Sequence, residues 1–277
     1  MTKLLDPAAV ERYRREGICF PIPICTPEEA AGQLRRLEAL ESREGGRLSG
    51  NTNIKPHLLL PWVDQLVRHP RILDAVEDVI GPDILCWGSQ FFIKGAHDPG
   101  FISWHQDATY WGLSTADVLT AWFAFTPSTV QSGCLRVVPG SHLQQVAHRE
   151  TGEASNMLSR GQEIAVEVDE DEAVDVVLQP GQASLHNVLI FHSSKANRAD
   201  HRRVGLAIRY IAPHVRQTAG PRDSATLVRG KDAFGNFDLI PPPRADFDPE
   251  AVARHAEVMR RAGEIQDAAA RRLGAGA

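Results

Sequence analysis

Trp104-His105-Gln106-Asp107 stands between short apolar segments that are separated by Gly, Pro, Asn and Asp. These segments cover residues 84–87, 91–94, 119–125, 135–138, 173–178, 183–191 and 204–211. Short strands divided by turn residues are typical of a β-sandwich or a β-barrel. The sequence therefore predicts a mainly β core, and the polar stretch lies between two of its strands.

The segment before this core predicts flanking helices. Asp6 and Thr26 are suited to cap two helices because their side-chain oxygens accept hydrogen bonds from unpaired backbone N–H groups, and Gly17 and Gly45 are suited to end those helices. The same patterns predict an edge strand at 18–24 and a further helix at 63–80. The N-terminal part is therefore expected to be largely helical.

The chain is expected to form a single domain over residues 1–277. It divides into a helical N-terminal part at about 1–82, a β core at about 83–215 and a C-terminal extension with a helix at about 216–277. The polar segment 151–171 is interpreted as an insertion that can act as a lid. The C-terminal helix is expected to pack on the outside of the domain or against another subunit.

Composition narrows the possible partners. The 30 basic and 35 acidic residues give a net charge of −5, which lacks the positive field that nucleic acids or anionic membranes attract. The four cysteines show no CxxC spacing, and neither a signal-peptide pattern nor a long apolar run is present. We expect a cytoplasmic monomer or homodimer that acts on a small molecule, with no nucleic-acid or membrane partner.

The stretch between Trp104 and Asp107 carries a His-x-Asp pair. In an extended segment side chains alternate between faces, so His105 and Asp107 point the same way and Gln106 points away. One imidazole and one carboxylate then converge on a single point. Such a pair alone is weak support for a metal site, because most tripeptides of this kind are solvated.

A second histidine strengthens the prediction. His192 ends an apolar segment far downstream, and it completes a set of two histidines and one carboxylate. This facial triad leaves open positions on Fe(II) for an oxo-acid and O₂. A zinc site with the same ligands stays open. His186 shares strand parity with His192 and is the rival for the distal ligand.

An arginine stands directly before the next apolar segment. The guanidinium of Arg203 offers a planar fork of donors that matches a carboxylate, which a lysine lacks. We expect it to hold the distal carboxylate of 2-oxoglutarate. Arg202 is the rival, because strand alternation lets only one of the two face the site.

These motifs, together with the run from Gly133 to His142 (GCLRVVPGSH), resemble the phytanoyl-CoA dioxygenase family, including its bacterial members. The resemblance covers roughly residues 50–215, and four motifs agree in order and spacing. It implies a double-stranded β-helix, the jelly roll of cupin-like proteins. It also implies Fe(II), 2-oxoglutarate as cosubstrate and O₂.

The resemblance further implies the roles of individual residues. It assigns iron ligation and catalysis to His105, Asp107 and His192. It assigns cosubstrate binding to Arg203, Ser194 and Lys55. The implied reaction is hydroxylation of an aliphatic C–H bond of a small-molecule metabolite, with release of succinate and CO₂. Desaturation or cyclisation by the same cofactors is the alternative, followed by a non-catalytic protein that binds a small ligand. Halogenation is disfavoured because Asp107 fills the coordination position that a halide needs.

The substrate itself is not readable from the sequence, because a family and a fold do not fix a substrate. Tyr110 and Trp111, which follow the His-x-Asp pair, are the candidate substrate contacts. Arg209 is able to neutralise an anionic substrate, although a salt bridge with an acidic neighbour is the preferred interpretation. The roles of His186 and of the segment 151–171 stay open.

Overall fold

A computed structural model of the protein describes residues 2–153, 155–158 and 161–274. The first helix begins after Asp6, whose side chain accepts a hydrogen bond of 2.7 Å from the Ala9 N–H. It ends at Gly17, whose φ of 75° is the left-handed conformation that glycine adopts without a Cβ penalty. The second helix begins at the capping box that Thr26 and Glu29 form. Both predicted helix starts are confirmed.

The six α-helices in the described residues lie mainly before the β core. They are α1 Pro7–Glu16, α2 Pro27–Arg43, α3 Gly50–Asn53, α4 Pro61–Val67, α5 Pro70–Ile80 and α6 Pro249–Gly274. The prediction of one helix at 63–80 is wrong, because α4 and α5 are separate. Pro70 has no N–H to donate and its ring would clash with the preceding turn, so it starts a new helix instead of continuing the old one.

The strands form two main sheets, in which nearly all neighbouring strands are antiparallel. Their bounds are β1 Ile18–Pro23, β2 Ile84–Lys94, β3 Ile102–His105, β4 Val118–Ala124, β5 Leu135–Val138, β6 His148–Glu150, β7 Gln162–Ile164, β8 Val174–Val176, β9 Gln182–Asn187, β10 Phe191–Ser194, β11 Arg203–Ile211, β12 Ser224–Arg229 and β13 Asp238–Leu239. The larger sheet has the order β1-β9-β4-β11-β2-β12-β13, and the smaller one has the order β3-β10-β5-β8. The predicted mainly β fold with flanking helices is confirmed.

The larger sheet extends beyond the predicted core at both ends. On one edge it gains β1 from the N-terminal part, which confirms the predicted edge strand. Beyond β2 it gains β12 and β13, although the core was expected to end at about residue 215. A large apolar cluster, which includes Leu37, Val63 and Phe123, lies between this sheet and the N-terminal helices. The helices therefore cover one face of the sheet and leave the other face for the pocket.

The C-terminal helix α6 borders the pocket rather than packing only on the outside. His255 in its first half lies 2.8 Å from the carbonyl oxygen of Ile54 through its Nε2 atom, and the helix contacts the short 3-10 segment that contains Asp107. Several α6 residues line the same cavity as the His-x-Asp pair: Met259, Ala262, Gly263, Ile265 and Gln266. Along the described residues, no helix combines the length and the apolar composition that crossing a bilayer requires.

Candidate active site

The predicted metal ligands meet at one end of the smaller sheet. His105 ends β3 and His192 lies in β10, where the two residues are direct cross-strand partners. Asp107 Oδ1 lies 3.5 Å from His105 Nε2 and 3.9 Å from His192 Nε2. One ligand atom from each of the three residues lies within 4.8 Å of those of the other two, which makes the group able to hold a metal ion. We refer to these three residues as the triad.

Both imidazoles of the triad are held in the same tautomer. The Nδ1 atom of His105 lies 2.9 Å from the Ser103 carbonyl oxygen, and that of His192 lies 3.0 Å from the Ile190 carbonyl oxygen. A carbonyl only accepts, so each Nδ1 carries the proton and each Nε2 presents its lone pair to the centre of the triad. Burial holds the pKa of His192 well below its usual value, which keeps this ring neutral.

Gln106 points away from the triad, as strand alternation predicts. Its side-chain N–H groups donate to the carbonyl oxygens of Gln144 at 2.8 Å and Leu189 at 2.6 Å. Its side-chain oxygen accepts a hydrogen bond of 2.9 Å from the Val146 N–H. Gln106 therefore ties the segment between the two ligands to two neighbouring loops and fixes the direction of both ligands.

His186 lies near the triad but does not belong to it. Its ring centroid is 5.2 Å from that of His192, and among the described residues it is absent from the group whose ligand atoms converge. Burial lowers the pKa of His186 to about 4, so the ring is neutral, and its Nδ1 atom has no hydrogen-bond partner. The geometry therefore favours His192 over its rival.

Arg203 points into the pocket and is nearly fully buried. One terminal N–H donates to the Gly133 carbonyl oxygen at 3.0 Å, while Nε and Nη2 are buried without a partner. Burial lowers the pKa of Arg203 to about 10, which leaves it charged at neutral pH. Its rival Arg202 instead lies 2.6 Å from the Glu41 carboxylate on α2. Of the two arginines, only Arg203 has donors left for a ligand in the pocket.

Lys94 supports this end of the pocket and was not anticipated from the sequence. It is the cross-strand partner of Arg203, and its side chain is completely buried. Its Nζ donates to the Ser194 hydroxyl oxygen at 2.8 Å and to the Lys195 carbonyl oxygen. Lys94 therefore fixes the Ser194 side chain, which lines the pocket, and the contact of Ser194 with the cosubstrate stays a prediction.

Lys55 lies in the same pocket but away from Arg203. Its Nζ is 3.8 Å from Asp223 Oδ1, and its Cε lies beside Gly88. Gly88 is the cross-strand partner of Arg209, whereas Arg203 begins the same strand. Arg203 and Arg209 are therefore separated by roughly 20 Å along β11, at about 3.3 Å per residue. The structure does not bring Lys55 together with Arg203 and Ser194, and its contact with the cosubstrate stays a prediction.

The predicted substrate residues have different outcomes. Trp111 lines the pocket, packs against Trp87 with ring centroids 4.8 Å apart, and lies 5.2 Å from the Arg209 guanidinium. The side chain of Tyr110 lies outside the described part of the chain. The expected salt bridge of Arg209 is wrong, since none of the described acidic residues forms an ion pair with it, and its Nε is buried without a partner.

The triad, Arg203 and Trp111 share one cavity of about 420 Å³. Sites for small organic ligands usually have volumes of this order. Both sheets and α6 contribute to its walls, so residues far apart in the sequence meet in it.

The sequence of this chain matches a known protein family. The family model of phytanoyl-CoA dioxygenase (PhyH) matches residues 4–205, which is more than half of the chain and includes the triad and Arg203. The chain belongs to the phytanoyl-CoA dioxygenase family. Its members are non-haem iron dioxygenases that use 2-oxoglutarate and O₂. Membership confirms the resemblance inferred from the motifs and the double-stranded β-helix that it implies.

Relatives of this phytanoyl-CoA dioxygenase family protein include enzymes and solved structures. An ectoine dioxygenase of Bordetella parapertussis is 27% identical over 157 residues, or 50% of each chain. The protein thus spans about half the length of the curated relatives that it matches first. ThoJ in its apo form, a non-heme monooxygenase, is 37% identical with a TM-score of 0.85, over 95% of this chain and 99% of that one. CytC3 with Fe(II) and α-ketoglutarate is 25% identical with a TM-score of 0.65, over 90% and 97%.

The residues present fit the cofactors of the family. Two neutral imidazoles and one carboxylate are the donor set that non-haem Fe(II) oxygenases use, and the chemistry of these donors agrees with the buried, convergent geometry of the triad. The unpartnered nitrogens of Arg203 agree with a ligand that brings a carboxylate. Both halves of the cofactor set therefore have matching groups in this chain.

Gly205 makes room for the Trp122 ring that lies under Arg203. A Cβ at Gly205 would lie 2.2 Å from Trp122 Cζ2, so Gly205→Ala is expected to displace this ring. Such overpacking typically costs about 1–3 kcal/mol of unfolding free energy. Urea unfolding should show this loss, with Gly95→Ala as the control because a Cβ there meets nothing within 4 Å. Equal stability of the two variants would contradict the prediction.

Proposed function

We propose that the protein hydroxylates an aliphatic C–H bond of a small-molecule metabolite. One oxygen atom of O₂ enters the product alcohol, and the other enters succinate as 2-oxoglutarate loses CO₂. The observation that carries this proposal is the pairing of two groups in one cavity. The triad offers a metal site, and Arg203 in the same cavity holds two buried nitrogens that lack a partner.

The residues have distinct tasks in this reaction. His105, Asp107 and His192 would hold Fe(II), which when bound supplies the activation of O₂. Arg203 would bind the distal carboxylate of 2-oxoglutarate through the fork of its guanidinium, while Ser194, fixed by Lys94, adds a hydroxyl beside it. This contact orients the cosubstrate so that its keto-acid end faces the triad.

The pocket walls position the substrate and keep water out. Trp87 and Trp111 form a tilted pair at one side of the cavity, and Met259 and Ile265 on α6 face the same space. Apolar walls next to the triad place a C–H bond close to the metal site without competing ligands for it. We assign Trp111 to substrate contact on this basis, and Tyr110 stays a prediction.

The decisive experiment follows the products. Anaerobically purified protein loaded with Fe(II) is given 2-oxoglutarate, O₂ and a panel of small metabolites, and succinate is measured together with the mass of the organic product. We expect succinate release to rise with one class of metabolite and a product that is heavier by one oxygen atom. Excess chloride should leave the product free of chlorine, because Asp107 occupies the position that a halide needs.

Other outcomes distinguish the alternatives. A product lighter by two hydrogen atoms would indicate desaturation or cyclisation with the same cofactors. The protein is a non-catalytic binder if 2-oxoglutarate binds in the presence of Fe(II) and no combination of substrate, Fe(II) and O₂ yields succinate. Protein with Asp107→Ala serves as the matched control for succinate formed without the enzyme.

A further inference from the structure

Three neighbouring strands carry one row of polar side chains into the pocket. His186 on β9 is the cross-strand partner of Thr120 on β4, and Thr120 is the partner of Arg209 on β11. All three side chains line the cavity. Since strands in a sheet lie about 4.8 Å apart, a small ligand is able to contact all three at once.

Each member of this row has a buried polar atom without a hydrogen-bond partner. These atoms are His186 Nδ1, Thr120 Oγ1 and Arg209 Nε. Folded proteins pair nearly all of their buried polar groups, and single exceptions need an explanation. Three exceptions side by side, next to the triad and inside a cavity, indicate a site that a polar ligand completes.

The charge at this row is positive. Among the described residues, Lys55 has Asp223 at 3.8 Å, whereas Arg209 has no acidic partner. Burial lowers the pKa of Arg209, and the charge of the Asp107 carboxylate partly offsets this effect. When a metal ion is bound, that carboxylate would be one of its ligands. An anionic ligand therefore complements Arg209. A carboxylate has two oxygens that match the guanidinium fork, and the Thr120 hydroxyl is placed to donate to it.

This row is distinct from the anchor at Arg203. The two arginines stand near opposite ends of β11, with Ala207 and the Trp122 ring between them on the pocket face. The row adjoins Trp111, whose ring lies 5.2 Å from the Arg209 guanidinium, and through it the apolar wall that α6 provides. A ligand with an acid group on Arg209 can thus lay its carbon skeleton along Trp111 and α6.

We propose that Arg209 and Thr120, with His186 beside them, form a second carboxylate-binding subsite on the substrate side of the triad. The proposal rests on the proposed function and narrows it to substrates that bear an acid group. The keto-acid end of 2-oxoglutarate is a second possible source of the same carboxylate. The experiment separates these two sources.

The first arm measures cosubstrate affinity. 2-Oxoglutarate is titrated into anaerobic Fe(II)-loaded protein, and the visible absorption of the chelate is followed. The proteins compared are wild type, Arg209→Gln, Thr120→Val and the control Arg202→Gln, whose arginine pairs with Glu41 outside the pocket. If the subsite serves the substrate, Arg209→Gln changes 2-oxoglutarate affinity by less than about threefold. If it serves the cosubstrate, affinity falls by about 30-fold, as expected when one partner of a buried charge pair is removed.

The second arm measures acid recognition on protein saturated with Fe(II) and 2-oxoglutarate. Carboxylic acids of different skeletons, each with its primary amide at the same concentration, are added under argon, and the thermal midpoint and chelate spectrum are recorded. For a substrate subsite, wild type should respond to particular acids and not to their amides. The acid concentration that gives half of the maximal response should rise about 30-fold in Arg209→Gln and about 10-fold in Thr120→Val. It should stay unchanged in Arg202→Gln.

Thr120→Val also provides a test without any ligand. Valine has the same shape but no hydroxyl, so it removes an unpartnered buried oxygen. The ligand-free variant should therefore unfold at the same or a higher temperature than wild type, even though it binds the carboxylate less tightly. Retained stability together with lost affinity is typical of a residue in a ligand site. The Thr120→Val variant therefore tests the proposal even if Arg209→Gln fails to fold.

The outcomes are separable from those of the proposed function. Wild-type protein that fails to bind 2-oxoglutarate in the presence of Fe(II) would defeat the proposed function itself. If wild type binds 2-oxoglutarate but neither cosubstrate affinity nor acid preference depends on Arg209 and Thr120, the second subsite is refuted and the proposed function stands. An absence of any acid preference in wild type, with unchanged cosubstrate affinity in Arg209→Gln, refutes it equally.

Discussion

Replacing His192 with alanine is expected to abolish turnover and to weaken Fe(II) binding by more than about 100-fold. Loss of a group that merely orients a metal ligand typically costs 10–100-fold in affinity or activity, so loss of the ligand itself should exceed that range. The Nδ1 atom of the buried ring faces the Ile190 carbonyl oxygen, so Nε2 is the atom left for the metal ion. Among the described residues, the group of converging ligand atoms contains no fourth residue that could replace His192. Iron content after anaerobic reconstitution and succinate release measure the two effects.

The controls for this prediction come from the other histidines. His201→Ala changes an exposed ring on the surface and should keep both iron and turnover. His186→Ala should keep iron, because His186 lies outside the group of converging ligand atoms. Circular dichroism confirms that each variant is folded. Iron retained in His192→Ala but lost in His186→Ala would show that the distal ligand is His186.

Replacing Arg203 with alanine is expected to raise the dissociation constant of 2-oxoglutarate by about 30-fold or more. Removing one member of a buried charge pair typically costs about 2–5 kcal/mol, which corresponds to this loss of affinity. Among the groups described at this end of the pocket, the Ser194 hydroxyl and the Lys94 side chain that donates to it would remain. Titration of 2-oxoglutarate into the anaerobic Fe(II) protein, followed by the visible band of the chelate, measures the constant.

Two further variants sharpen this result. Arg203→Lys should restore only part of the affinity, since an ammonium keeps the charge but loses the planar fork. Arg202→Ala should bind as tightly as wild type, because its side chain pairs with Glu41 instead of the pocket. The reverse pattern, with tight binding in Arg203→Ala and weak binding in Arg202→Ala, would assign the anchor to Arg202.

Local sequence rules predicted the parts of the molecule that depend on a few neighbouring residues. Asp6 and Gly17 mark the two ends of a helix, and both could be predicted because capping and left-handed backbone conformations involve only adjacent groups. Strand alternation turned Gln106 away from the triad for the same reason. The choice between Arg202 and Arg203 needed more than alternation, because the sequence does not show that α2 brings Glu41 to Arg202.

What could not be predicted depends on contacts between distant segments. The placement of Lys94 follows from the register between β2 and β11, which the packing of whole sheets determines. The missing partner of Arg209 is likewise visible only when every neighbouring strand is in place. The break before Pro70 is a different case, because proline marks it in the sequence and helical periodicity on both sides conceals it.

The helix α6 has a consequence for engineering this protein. The match to the family ends at residue 205, and the triad and Arg203 lie within it, whereas α6 begins at Pro249. Met259, Ala262, Gly263 and Gln266 recur at helical spacing and face the cavity together. The segments that carry the triad and the helix that forms one wall of the cavity are thus encoded by separate stretches of the gene. A combinatorial library confined to the cavity face of α6 can therefore change the shape of the cavity while the codons of the segments that carry the triad stay unchanged.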